Sequence, residues 1–128
     1  MMLLDTCVLF WLEYDRTRIS AGASEAISAA ESPCFASSVS ALELGLKVAR
    51  GKLKLPLSPG EWLREVCRRR SITEIPVDFR IAGESALLPR LHDDPFDRIL
   101  IATARQRSLR LVTPDGLISQ YPNTRVLW

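Results

Sequence analysis

The apolar runs of this chain are short, and the two clearest each stop at an aspartate. Met1 to Leu4 runs into Asp5, and Leu109-Arg110-Leu111-Val112-Thr113 runs into Pro114-Asp115-Gly116. Runs of this length suit buried strands, and the segments between them carry apolar residues at helical spacing. Val8, Trp11 and Leu12 follow Asp5 in that rhythm, and Trp62, Leu63, Val66 and Cys67 repeat it within Glu61 to Arg70. Pro33 to Ala36, Ile72 to Pro76 and the terminal Arg125-Val126-Leu127-Trp128 supply further short strands, the second interrupted by Thr73 and Glu74. Strands alternating with helices predict an α/β fold around a mostly parallel sheet, with the strand order left open.

Local signals place the helix ends. Ser20 to Glu31, rich in Ala, Ser and Glu, reads as a surface helix. Ser37 or Ser38 can cap a helix over Val39 to Arg50 that stops at Gly51 as its C′ residue. Leu53 to Trp62, with Pro56, Pro59 and Gly60 close together, reads as loop, and Val77 to Leu88 as helix. After a loop from Pro89 to Asp94 comes the strongest start signal in the chain, with Asp94 as N-cap, Pro95 at the first helical position and Asp97 in the first turn. That helix is predicted to reach Arg107, and a short helix follows Gly116.

A length of 128 residues with 47% hydrophobic content fits one domain over residues 1–128 with a single core. The formal net charge is only +2, so overall charge does not mark a strongly electrostatic nucleic-acid binder. Basic residues do concentrate in Lys47, Arg50, Lys52 and Lys54 and in Arg64, Arg68, Arg69 and Arg70, which form one positive surface if the two segments pack side by side. The three cysteines, Cys7, Cys34 and Cys67, have no paired spacing and read as reduced thiols. Asp5 interrupts the N-terminal apolar run, no basic segment precedes it, and no stretch approaches the roughly 20 apolar residues of a membrane span. A soluble, cytoplasmic protein is expected.

In a parallel α/β sheet, sites collect beyond the carboxyl ends of the strands. Asp5 and Asp115 each follow a strand directly, Asp97 lies in the first turn of a helix, and Glu43 lies one turn into a helix that itself follows a strand. Each has an ordinary structural alternative: Asp5 as a helix cap, Asp97 as a dipole-stabilising residue, Asp115 as a turn residue, and Glu43 as the partner of Lys47 in an i,i+4 pair. Together they predict a site. Two like charges about 4 Å apart repel by about 4 kcal/mol at an effective dielectric near 20, so such a cluster calls for cations. Carboxylates without Cys or His suit hard ions such as Mg²⁺ or Mn²⁺.

The segments MLLDTCVLFW, SSVSALELGLKVARGKLKL, HDDPFDRILIATA and LVTPDGLISQYPNTRVLW, in this order, resemble the PIN domain, in particular the small VapC-type ribonuclease toxins of bacteria. The resemblance covers nearly the whole chain. It implies an α/β/α sandwich with a parallel sheet, Mg²⁺- or Mn²⁺-dependent cleavage of RNA, a homodimer, and a cognate antitoxin that blocks the site. By position, Asp5, Glu43 and Asp97 match the family's core acids and Asp115 a fourth. The chain departs from close relatives where Cys7 and Pro114 stand in place of a histidine and a basic residue.

Around these acids, Thr6 and Thr113 are candidates to orient a carboxylate or a water. Asp94 reads as a cap with a possible supporting role, and Arg98 as a phosphate contact or one half of a surface ion pair. His92, the single histidine, reads as a loop residue. Trp11, Trp62 and Trp128 read as core or interface. The alternatives to a toxin are a PIN-type nuclease acting in RNA processing or on DNA without an antitoxin, and, more distantly, a Mg²⁺-binding phospho-acceptor domain. The latter needs neighbouring acids at the first strand and a late lysine, neither of which is clear here. An inactive interaction module would be expected to lack at least one of the four acids.

Overall fold

In the computed structural model, which describes residues 1–29 and 31–128, strands β1 (Met2–Leu4), β2 (Cys34–Ser37), β3 (Ile72–Ile75), β4 (Arg110–Val112) and β5 (Arg125–Leu127) form one sheet. Its order is β3-β2-β1-β4-β5, and every pairing is parallel. Central β1 is buried on both faces, with Met2, Leu3 and Leu4 all at 0% exposure. That is why it reads as an unbroken apolar run.

The side chains of β1 alternate between two cores. Met2 and Leu4 join Val8, Leu9 and Leu12 of α1 (Thr6–Tyr14), Ala23 of α2 (Ala21–Ser28) and Trp62, Leu63 and Val66 of α4 (Pro59–Arg70). Leu3 points the other way, to Ile81 of α5 (Phe79–Leu87) and Leu100, Ile101 and Ala104 of α6 (Pro95–Gln106). The result is the expected α/β/α sandwich. Helix α3 (Val39–Ala49) lies across the layers, giving Val39 to one core and Leu44 to the other.

Several predicted boundaries shift for local reasons. Helix α2 is shorter than Ser20 to Glu31: Ser20 Oγ accepts from the Ala23 amide as its cap, and the helix ends at Ser28. Residue 30 of that predicted helix lies outside the described residues. Helix α4 starts earlier than Glu61, because Pro59 takes the first helical position after Ser58, where a missing N–H costs nothing. Ser38 holds the N-cap position of α3 without a side-chain cap bond; Ser37 Oγ accepts from the first helical amide, Val39, and Ser38 Oγ accepts from the Val77 amide. Gly51 sits at φ 70 after α3, as its predicted C′ role requires. β3 is a strand despite Thr73 and Glu74, which are exposed on the sheet's edge while Ile72 and Ile75 are buried. The predicted short helix after Gly116 is only a 3-10 turn, Ile118–Gln120.

The topology places the site. Chain order runs outward from β1 through β2 to β3, then returns to the far side of β1 as β4. The direction of winding therefore reverses between β1 and β4, where the loops at the strand ends diverge and open a crevice. The registered pairs are Met2 with Arg110, Leu3 with Leu111 and Leu4 with Val112. Asp5 donates its amide to the Val112 carbonyl at 3.0 Å, closing the ladder at that crevice.

Candidate active site

Asp5 lies at the switch point with only 7% of its surface exposed. It occupies the position before α1, but its side chain makes no capping hydrogen bond. Thr113 Oγ1 donates to Asp5 Oδ2 at 2.6 Å and accepts from the Asp115 amide at 3.1 Å. Burial pushes the Asp5 carboxyl above its ordinary range, and the charge of Asp115 adds to this, against the Thr113 hydroxyl and the amides of Thr6 and Cys7. Cys7 is pushed up by its burial and by Asp5 and Glu43, so it stays a protonated thiol, in keeping with a packing role.

Glu43 is carried over the same edge by α3. Its side chain is 15% exposed; Oε2 lies 3.7 Å from Lys47 Nζ, and the i,i+4 pair expected from the sequence is therefore present. The pair accounts for one oxygen only. Oε1 is buried without a hydrogen-bond partner among the described residues. Burial raises the Glu43 carboxyl; the Thr6 hydroxyl and Lys47 lower it, and Asp5 and Asp94 raise it further. Lys47 is 46% exposed, so solvent weakens its counter-charge.

Asp97 projects from the first turn of α6 and is pushed up to about 7, first by burial, then by the charges of Asp94 and Asp5, with His92 opposing and Glu43 adding to the rise. Asp115 is half-buried and receives the Leu117 amide on Oδ1 at 2.9 Å. Asp5, Glu43 and Asp97 thus feel one another's charge, and Asp115 acts on Asp5. The tightest grouping is different from the one predicted: His92, Asp97 and Asp115 offer ligand atoms within 4.8 Å of one another, and no such triad among the described residues includes Asp5 or Glu43.

His92 does lie in the loop before α6, but its ring is part of the site, which the sequence reading missed. Nε2 lies 3.2 Å from Asp97 Oδ2, and Nδ1 lies 2.8 Å from the Tyr121 hydroxyl. Only its spacing of five residues from Asp97 hinted at this. Arg98 requires a correction. It is 8% exposed and donates to the carbonyls of Leu88, Pro89 and His92 and to Tyr121 Oη, so it is neither a phosphate contact nor half of a surface ion pair. The Asp94 carboxylate is exposed and caps α6 by accepting from Phe96 and Asp97 amides. Thr6 is fully buried, bonded to Ser40 Oγ at 2.8 Å.

The donor set fits a divalent cation. Half-buried and buried carboxylates repel one another, and among the described residues Glu43 Oε1 is orphaned and Lys47 is the one lysine or arginine paired into the group. A cation would supply the missing opposite charge. Of the two basic segments, Arg68, Arg69 and Arg70 are spent on Glu65 and Glu13. Arg50, Lys52 and Lys54 carry no ion pair among the described residues. Beside the acids, Thr6, Trp11, Arg18, Lys47 and Lys52 line a pocket of about 240 Å³, with the Arg18 guanidinium 4.6 Å from the Trp11 ring. No helix among the described residues is long and apolar enough to cross a membrane.

Residues 2–123 match the PIN domain. Among curated relatives, the chain is 28% identical over 125 residues to Ribonuclease VapC22 of Mycobacterium tuberculosis, covering 97% of this chain and 94% of that protein. Among solved structures it is similar to a chain of a toxin-antitoxin complex from Klebsiella pneumoniae, with a TM-score of 0.68 at 22% identity over 100% of this chain and 97% of that one. It is also similar to a chain of VapBC2 from Rickettsia felis bound to a DNA fragment from their promoter, with a TM-score of 0.73 at 16% identity over 98% of this chain and 96% of that one. At these identities the two structures speak to the fold.

Proposed function

The chain belongs to the PIN domain family, and from that premise we propose that it is a divalent-metal-dependent endoribonuclease, the toxin of a toxin–antitoxin pair. The observation that carries the reading is that Asp5, Glu43 and Asp97 lie near enough to act on one another's charge, each with its carboxyl raised by burial and by its acidic neighbours. A fold gains nothing in stability from such a group. It makes sense as a site for a cation.

Asp5, Glu43, Asp97 and Asp115 are the residues that would hold Mg²⁺ or Mn²⁺. When bound, such an ion lowers the pKa of water and neutralises the oxygen that leaves a phosphodiester. Thr113 fixes the Asp5 carboxylate and, through the Asp115 amide, the loop that carries the fourth acid. Arg18 and Lys52, which have no ion-pair partner among the described residues, line a basic wall next to the acids, so a single-stranded RNA can be gripped on one side of the site and cut at the other. The relative named as a ribonuclease and the neighbour described as a toxin-antitoxin complex support this substrate and a protein antitoxin as partner. A homodimer acting in the cytoplasm completes the proposal.

The test is cleavage of RNA by purified protein freed of its antitoxin. Activity with Mg²⁺ or Mn²⁺ that stops on adding EDTA is the expected result; undiminished cleavage in EDTA would remove the metal from the mechanism. Co-expression with the neighbouring reading frame should give a stable, inactive complex.

A further inference from the structure

We propose that His92 is a positioning residue for Asp97: Tyr121 holds the imidazole in the tautomer that carries its hydrogen on Nε2, and that hydrogen is donated to Asp97 Oδ2. His92 is then not a metal ligand, although it lies within ligand distance of Asp97 and Asp115. The positioning role rests on the reading of Asp97 as an acid that holds the cation.

Distances around one oxygen select the tautomer. A phenol oxygen has two lone pairs and one hydrogen. The backbone N–H of His92 reaches Tyr121 Oη at 3.2 Å, and Arg98 Nη1 reaches it at 3.4 Å. The two Nη1 hydrogens have nearer acceptors in the carbonyls of Pro89 and His92, at 3.0 and 3.3 Å, so the phenol oxygen keeps one clear donor, and its own hydrogen has two acceptors in range. Nδ1 of His92 is at 2.8 Å; the His92 carbonyl is at 3.4 Å and already receives Arg98 Nη1 at 3.3 Å. The nearer acceptor is Nδ1. A neutral imidazole that accepts at Nδ1 carries its hydrogen on Nε2, 3.2 Å from Asp97 Oδ2.

The opposite tautomer would put the Nδ1 hydrogen beside the backbone N–H of His92 on one phenol oxygen and leave the phenol hydrogen only the more distant carbonyl. It would also aim the Nε2 lone pair at Asp97 Oδ2 in the ionised form that would hold a cation. With the hydrogen on Nε2, the ring offers no lone pair on the side of the acids, and one oxygen of Asp97 is fixed while the other stays free. The support reaches further back. Tyr121 is 2% exposed, and Arg98 ties the carbonyls of Leu88, Pro89 and His92 together beneath the ring. A hydrogen-bonded partner of this kind behind a metal-holding group commonly changes metal affinity or activity by about 10- to 100-fold.

The chain holds one histidine, so ¹⁵N NMR of imidazole nitrogens reports this ring alone. At about pH 8, above the usual imidazole range, the full-length protein should show a protonated Nε2 and a bare Nδ1, both before and after Mg²⁺ is added. A hydrogen on Nδ1, a doubly protonated ring, or loss of the Nε2 hydrogen when Mg²⁺ is added would overturn the assignment. Calorimetric Mg²⁺ titration then tests positioning. His92→Ala should weaken binding about tenfold or more, while His92→Gln, whose amide nitrogen can replace Nε2–H, should recover most of it. Equal affinity in all three proteins would overturn the role. A ring in the expected tautomer in a protein that takes up no Mg²⁺ would overturn the metal-centre reading and the positioning built on it; Mg²⁺ binding with the ring in the other tautomer would overturn the positioning alone.

Discussion

Thr113 Oγ1 donates to Asp5 Oδ2 at 2.6 Å, joining residues 108 apart in the chain at the ends of two neighbouring strands. The same hydroxyl accepts from the Asp115 amide. One buried side chain therefore aims the first acid and shapes the turn that presents the last.

Thr113→Val keeps the shape and removes the hydroxyl, leaving Asp5 Oδ2 and the Asp115 N–H without their partner. We expect a loss of about 1–3 kcal/mol in stability, read by urea unfolding, together with reduced RNA cleavage. Thr113→Ser should restore most of both. A Val variant as stable and active as wild type would show that the contact positions nothing.

Asp5→Asn keeps size while removing one charge from the cluster. Cleavage should fall by orders of magnitude, because the cation loses an anionic ligand. In metal-free buffer the variant should melt at the same temperature as wild type or higher, and it should gain less from Mg²⁺. Were Asp5 only a helix cap, Asn would serve as well, and both cleavage and the Mg²⁺ shift would survive.

The raised carboxyl of Asp97 gives metal-free stability a definite pH dependence. Between its ordinary value of 3.8 and about 7, the folded chain keeps a proton that the unfolded chain has released. Stability must then fall as pH rises through that window. Asp5 and Glu43, also raised, act in the same direction. Melting temperatures measured without metal should decline from acidic to neutral pH. The decline should shrink in Asp97→Asn and flatten when Mg²⁺ is saturating. A wild type whose metal-free melting temperature rises over this window would contradict the assignment.

Arg98→Met fills similar space but strands the carbonyls of Leu88, Pro89 and His92, which the guanidinium now serves. We expect destabilisation of about 3 kcal/mol or more in thermal and urea unfolding. Arg98→Lys should rescue little, since a single ammonium cannot reproduce the planar fork. A loss below 1 kcal/mol would show that water replaces it freely.

What the sequence disclosed and what it hid follow from one distinction. β1, β4 and the start of α6 were legible because their signals are local: an apolar run that stops at an acid, or an Asp-Pro pair that opens a helix. Three of the four acids could be assigned to one sheet edge for the same reason, whereas the local signal at Glu43 was an i,i+4 pair with Lys47. The partners of those acids were not legible. Thr113 reaches Asp5, and His92 reaches Tyr121, only because the sheet order brings β4 beside β1 and folds the turn after β4 under the loop before α6. Arg98 misled because it directly follows Asp97 in sequence, whereas its partners in space are carbonyls under the surface.

The sheet order also dictates when this protein can act during its own synthesis. β1 leaves the ribosome before the other strands of the sheet, yet one of its two neighbours is β4, whose pairing joins Met2 to Arg110. Until that late segment has emerged, Asp5 has neither Thr113 nor Asp115 beside it, and Asp97 has no Tyr121-held histidine behind it. A nascent chain therefore holds these acids apart, and they meet only once β4 and the turn that follows it have folded against β1.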